Sequence, residues 1–160
     1  MLQAGSKGFQ LQGDPLQVPP CWSYFNVIPT HFTDMNSEVK TKWLEALRGG
    51  EYKQTRYTLH SPNDGFCCLG VLCDIYTKEF GGSWEYDERE YTCGYTLEVG
   101  DELAQVELPH CVVEWAGLEM CSPEVHVAVG DSDFVPTTLA ELNDEGKGFE
   151  YIADVIDHQL

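Results

Sequence analysis

Apolar residues recur at helical spacing in the first strongly patterned stretch of the chain. They fall on one helical face and comprise Val39, Trp43, Leu44 and Leu47. Asn36 and Ser37 are both favoured capping residues, and Gly49 follows the last apolar turn. The pattern therefore predicts a helix over residues 36–48.

Three further stretches favour helices. Residues 66–79 form an apolar run with a polar tail, and Gly70 inside it indicates close approach of another backbone or a ligand. A short helix is predicted after Pro109, ending before Gly117. Near the C-terminus a short helix begins at Thr137 or Thr138, and an amphipathic helix over residues 149–156 follows it.

Alternating patterns predict strands between these helices. Residues 51–60 alternate as a strand with one solvent-exposed face. Residues 83–100 suggest a hairpin or two short strands, and residues 124–129 another strand. The expected fold class is α+β, a single compact domain of about four helices with a small, mostly antiparallel sheet.

The first 34 residues differ from the rest in composition. They contain four prolines and no helical period, and Met35 opens a stretch typical of a protein start. We interpret residues 1–34 as an N-terminal extension or docked arm, and residues 35–160 as the single α+β domain.

The sequence favours a cytoplasmic protein. It has neither a membrane-spanning apolar run nor the basic and apolar regions of a secretory signal. It contains seven cysteines, an odd number, and two of them, Cys67 and Cys68, are adjacent. This usage is typical of reduced thiols rather than a disulfide framework.

Charge narrows the classes of partner. The net charge of −18 disfavours direct contact with nucleic acid or an anionic membrane surface. Five of the nine basic residues nevertheless lie between Lys40 and Arg56, whereas 22 of the 27 acidic residues follow Arg56. An anionic ligand would therefore bind near this basic segment.

Four phrases carry a family resemblance: NSEVKTKWLEALRGGEYKQ, FCCLGVLCDIY, LPHCVVEWAGL and LAELNDEGKGFEYIADVI. In this order they resemble a family of small, uncharacterised bacteriophage and prophage proteins over residues 36–160. The resemblance implies a viral protein in a bacterial cytoplasm. It supplies no catalytic residues.

The sequence carries few motifs of metal binding or catalysis. No cysteine or histidine pair has zinc-ligand spacing, and no phosphate-loop or nucleophile-elbow motif is present. Cys67 or Cys68, at a helix start with His60 upstream, is a candidate nucleophile set in an apolar run. The last two helices resemble a helix-turn-helix but are too acidic to bind DNA.

The basic segment offers the best candidate site. Its cations would contact phosphate, its aromatic side chains would stack a base, and the backbone N–H groups of residues 65–68 would add an anion site. The candidate ligand-binding residues are Arg48, Tyr52, Lys53, Gln54, Arg56 and Trp84. No cofactor, metal ligand or catalytic residue is predicted.

Three functions stay open at this point. The first is a phage accessory protein that sequesters a small host-derived nucleotide without chemistry, as an anti-defence sponge that is compatible with a homodimer. The second is an acidic interaction protein that occupies a host enzyme's nucleic-acid-binding site. The third is a small nucleotide hydrolase or cysteine-dependent enzyme.

Overall fold

The computed structural model describes residues 35–87, 94–129 and 133–160, and five helices lie within them. These are α1 (Ser37–Arg48), α2 (Cys68–Phe80), α3 (His110–Ala116), α4 (Leu139–Asp144) and α5 (Phe149–Gln159). In this part of the chain no helix has the length and apolar character needed to cross a membrane.

The strands are short and form two sheets. They are β1 (Lys53–Gln54), β2 (His60–Ser61), β3 (Gly65–Phe66), β4 (Ser83–Asp87), β5 (Gly94–Val99), β6 (Glu102–Ala104), β7 (Glu124–Val129) and β8 (Asp133–Thr138). The larger sheet has the order β1-β3-β2-β5-β4, and β6 also pairs with β5. The β7–β8 hairpin is separate. Every pairing except that of β1 with β3 is antiparallel.

This architecture confirms the predicted α+β class and the small, mostly antiparallel sheet. The prediction of one strand over residues 51–60 is wrong, because the chain leaves the extended conformation between β1 and β2. Tyr57 has a φ of 65°, which a strand does not accommodate. The predicted extension, residues 1–34, and the turn of the β4–β5 hairpin lie outside the described residues.

Helix α1 forms as its pattern predicts. The Asn36 side chain accepts hydrogen bonds from the backbone of Glu38 and Val39, which caps the helix. Trp43 is fully buried, and its indole Nε1 donates to the Cys68 carbonyl at 2.9 Å. Helix α1 is thus fixed against the start of α2 as well as packed along α5.

Helix α2 is the centre of the core, and Gly70 lets it approach the chain that enters β2. A Cβ atom at Gly70 would lie 1.9 Å from the Leu59 carbonyl oxygen and 2.7 Å from its carbon. The backbone N–H of Cys67 donates to the same carbonyl at 3.1 Å. Gly70, predicted from sequence as a point of close approach, therefore contacts the backbone of Leu59. This contact positions Leu59, the residue before His60.

A buried side chain, Asn143 of α4, bonds to two distant segments, residues 54–55 and the start of α2. Its Oδ1 accepts from the Cys68 backbone N–H at 3.2 Å and from Gln54 Nε2 at 2.9 Å. Its Nδ2 donates to the Thr55 carbonyl at 2.8 Å. Because Asn143 is fully buried, these bonds satisfy polar groups that water does not reach.

We expect Gly70→Ala to lower the free energy of unfolding by about 3 kcal/mol or more, the upper range for overpacking, because its methyl group meets rigid backbone. Urea unfolding followed by circular dichroism measures this change. Gly148→Ser is the matched control. It adds a larger side chain in open space at the α5 cap, where serine is favoured. Equal midpoints for Gly70→Ala and the parent would contradict the described contact.

Candidate functional site

A row of aromatic side chains crosses one face of the larger sheet. Phe66 of β3 lies opposite His60 of β2, His60 opposite Tyr95 of β5, and Tyr95 opposite Tyr86 of β4. The His60 ring is stacked between Phe66, at 3.9 Å between centroids, and Tyr95, at 4.2 Å. The sheet register thus aligns rings that are distant in the sequence.

Two further aromatic side chains turn one end of this row into a cavity. The Trp84 ring meets His60 and Phe66 edge to face, and Tyr52 meets Phe66 in the same way. The cavity has a volume of about 430 Å³, within the range of small-molecule sites. Its lining residues are Glu51, Tyr52, His60, Asp64, Phe66, Asp74, Lys78 and Trp84.

Two side chains that line the cavity each carry a buried ring nitrogen without a partner. Nδ1 of His60 and Nε1 of Trp84 are shielded from water, and neither forms a hydrogen bond within the described structure. Burial lowers the pKa of His60, so the imidazole is neutral at pH 7. Its Nε2 lies 3.4 Å from the Asp64 carboxylate. With the proton on Nε2, toward Asp64, Nδ1 is a hydrogen-bond acceptor, whereas Trp84 Nε1 is a donor.

The other end of the cavity is polar. The Tyr52 hydroxyl donates to Asp74 Oδ2 at 2.7 Å, and the Lys78 ammonium contacts Asp74 Oδ2 at 2.8 Å and the Tyr52 oxygen at 2.9 Å. Burial raises the pKa of Tyr52, so its phenol is neutral. The hydrogen bond between Lys78 and Asp74 raises the pKa of Lys78, so the Lys78 amine is charged.

A family model described as a domain of unknown function (DUF8296) matches residues 35–160, most of the chain. The protein belongs to this family. None of the curated proteins and none of the solved structures matches it.

In this DUF8296 protein, two of the six sequence-predicted site residues line the cavity. Tyr52 and Trp84, proposed to stack a base, are both there. Arg48, proposed to bind phosphate, instead lies 2.7 Å from Asp154 and 3.6 Å from Asp157, at the α1–α5 contact. Its guanidinium is held by carboxylates of the protein itself.

The other three candidates lie outside the cavity lining. Lys53 Nζ points to the Asn63 carbonyl at 3.4 Å. Gln54 Nε2 donates to Asn143 and to the Lys147 carbonyl at 2.7 Å, a structural role. The Arg56 guanidinium packs where a side chain at Gly146 would stand. The three cations proposed to bind phosphate, Arg48, Lys53 and Arg56, thus make separate contacts rather than lining one anion pocket.

Three of the four backbone N–H groups expected to form an anion site already have partners. Gly65 donates to the Ser61 hydroxyl at 3.2 Å, Cys67 to the Leu59 carbonyl, and Cys68 to Asn143. The start of α2 is also buried. An anion would have to displace bonds within the protein to bind there, so the geometry does not support this part of the predicted site.

The candidate nucleophiles are buried thiols. Cys67 caps α2, and its sulfur accepts from the Gly70 backbone N–H at 3.3 Å. Burial nevertheless raises the pKa of Cys67 to about 11 and holds those of Cys68 and Cys73 well above their usual range. Desolvation therefore outweighs the helix dipole that the sequence analysis relied on.

Within the described ranges, no group of three or more histidine, cysteine, aspartate or glutamate side chains has a metal-binding arrangement. Five lining residues were not predicted as site residues: Glu51, Asp64, Phe66, Asp74 and Lys78. His60 was considered from sequence as a partner for a cysteine nucleophile. Asp74 is the one acid in the first two turns of an apolar helix. An acid inside an apolar helix was the one feature of the sequence that could have indicated Asp74 as a site residue.

We expect Cys67 to resist alkylation by iodoacetamide in the native protein at pH 8, where a pKa of about 11 leaves about one thiol in a thousand ionised. Peptide mass mapping after timed labelling measures this. Cys121, which is partly exposed, is the internal comparison. Labelling of Cys67 at the rate that it shows in denaturant would contradict the buried, neutral thiol.

Proposed function

We propose that this DUF8296 protein binds a small molecule through a planar nitrogen heterocycle, such as the base of a nucleoside or nucleotide, and sequesters it without chemical change. The observation that carries the proposal is that His60 and Trp84, which line one cavity, each have a buried ring nitrogen without a partner. A buried polar atom without a hydrogen bond costs free energy, which a bound ligand with matching groups recovers.

The hydrogen-bonding groups of the cavity suit a heterocycle. Trp84 Nε1 is a donor only, and His60 Nδ1 is an acceptor when Nε2 carries the proton toward Asp64. Nucleobase edges present acceptors and exocyclic amino donors side by side. The rings of Tyr52 and Phe66 add apolar contact for the faces of such a ligand.

The negative charge of the cavity lining argues against the phosphate contacts that were expected from the sequence. Glu51, Asp64 and Asp74 supply three carboxylates, against the single ammonium of Lys78. A phosphate group brought close to these carboxylates would be repelled. The proposal therefore places the base, rather than the phosphate, inside the cavity.

The setting and the alternatives follow from the sequence. Resemblance to bacteriophage proteins supports a host-derived ligand and action in the bacterial cytoplasm. A cysteine-dependent enzyme is less well supported, because the thiols of α2 are buried and protonated. The acidic interaction protein keeps its basis in the net charge of −18. The predicted homodimer stays a prediction.

The proposal is tested by calorimetric titration of the full chain with adenosine, guanosine, cytidine and uridine and with their 5′-monophosphates. We expect at least one nucleoside to bind, and to bind more tightly than its monophosphate. Trp84→Phe keeps a ring but removes the N–H, so we expect it to weaken binding about tenfold, the value of one hydrogen bond.

Two variants serve as controls. Trp115→Phe makes the same change on a side chain that packs against Tyr76 and Phe80, and it should bind like the parent. Arg56→Ala should also bind like the parent, whereas a ligand held by the basic segment would be lost. Equal affinity of Trp84→Phe and the parent would contradict the proposed role of this cavity. An absence of binding across the panel would contradict the proposal as a whole and favour a protein partner.

A further inference from the structure

The polar end of the cavity already holds an ammonium group. Lys78 Nζ lies 2.8 Å from Asp74 Oδ2, 2.9 Å from the Tyr52 hydroxyl oxygen and 5.1 Å from the centroid of the Tyr52 ring. A carboxylate, a phenol oxygen and an aromatic face together are the groups that proteins use to bind cationic nitrogen. The protein's own lysine thus shows which chemistry this end accepts.

The two partners of the ion pair differ in how firmly they are held. The Asp74 side chain is 14% exposed, and it also accepts the Tyr52 hydrogen bond, whereas the Lys78 side chain is 66% exposed. Exposed lysine pairs contribute little to stability, because ordering the long side chain costs entropy. The carboxylate is therefore a fixed element of the cavity, and the ammonium is the replaceable one.

Asp74 requires a positive partner whenever Lys78 leaves. A carboxylate shielded from water and stripped of its counter-ion is costly, so a neutral or anionic group does not replace the ammonium. Glu51 and Asp64 on the same lining strengthen this preference. A second observation points to a ligand in the same cavity, since the His60 side chain is only 9% exposed and its Nδ1 has no partner.

We infer that the polar end of the cavity is a subsite for a positively charged nitrogen of the ligand, an amine or a protonated ring nitrogen, which pairs with Asp74 and displaces Lys78. This inference rests on the proposed function, because it assigns the charge of a ligand whose ring lies against Trp84 and His60. It names the class as an aromatic or heteroaromatic cation.

Three probes of one shape test the charge preference: phenethylamine, 2-phenylethanol and 3-phenylpropionate, which are positive, neutral and negative. Each is titrated into the ¹⁵N-labelled full chain, and the shift of the Trp84 indole N–H signal, assigned with Trp84→Phe, gives the dissociation constant. We expect the amine to bind at least about fivefold more tightly than the alcohol, the range of a cation–π contact with a charge partner, and the carboxylate to bind most weakly.

Variants of the ion pair test the assigned partner. Asp74→Asn keeps the shape and should reduce the preference for amine over alcohol to about twofold or less, since the charge partner is gone. Lys78→Met should tighten amine binding by about threefold or more, because the competing ammonium is removed. Asp154→Asn and Lys42→Met make the same charge changes at surface pairs elsewhere and should leave all three affinities unchanged.

The outcomes separate this inference from the proposed function. If amine and alcohol shift the Trp84 signal with equal affinity, or if Asp74→Asn keeps the amine preference, the cationic subsite is overturned while the ring-binding cavity stands. If nucleosides shift the signal and all three probes fail to, the inference is likewise overturned. If neither probes nor nucleosides shift it, both are overturned.

Discussion

The structure depends on one close approach between backbones, that of α2 at Gly70 and the chain at Leu59. No side chain fits between them, since a Cβ atom at Gly70 would stand 1.9 Å from the Leu59 carbonyl oxygen. The next residue is His60 of β2, which lies opposite Phe66 of β3 and Tyr95 of β5. The packing of α2 therefore determines the position of His60 within the aromatic row. Asn143 supports the same region by joining the start of α2 to the segment after β1.

The candidate site follows from this framework through register. Residues that lie directly opposite in an antiparallel pair share one face of the sheet, so three pairings are enough to align four rings. Helix α2 adds the polar end, because Asp74 and Lys78 are one turn apart along it and form an ion pair. Aromatic surface and fixed negative charge then meet at Tyr52, which contacts both Phe66 and Asp74. This combination distinguishes the cavity from the acidic surface around it.

The sequence predicted the features that depend on local pattern. Helix α1, with Trp43 on its buried face, follows from spacing alone, and Asn36 is one of the two residues predicted as its cap. The class of the fold followed from the alternation of such stretches. The two-residue strands β1, β2 and β3 did not, because strands so short have no periodicity to read, and Tyr57 with its positive φ interrupts the pattern.

Of the residues that line the candidate site, the sequence predicted only two aromatic ones, Tyr52 and Trp84, for a similar reason. Tyr52 and Trp84 were chosen as side chains able to stack a base, a property that holds wherever they lie. The roles of Arg48 and Gln54 depend on partners more than 80 residues away, at Asp154 and Asn143, which sequence spacing does not reveal. A cluster of cations in sequence was therefore not a cluster in space, and the least exposed carboxylate of the cavity's ion pair belongs to Asp74, a residue inside an apolar run.

The central claim is that the cavity between Tyr52 and Trp84 holds a small molecule, and native mass spectrometry tests it most directly. The full chain is sprayed with a mixture of nucleosides, nucleotides and aromatic amines, beside a variant that carries Tyr52→Ala and Trp84→Ala. The account predicts a complex of the parent with one unmodified ligand of the mixture, absent from the folded double variant. The same complex with both proteins, or a parent spectrum without any bound ligand, would contradict it.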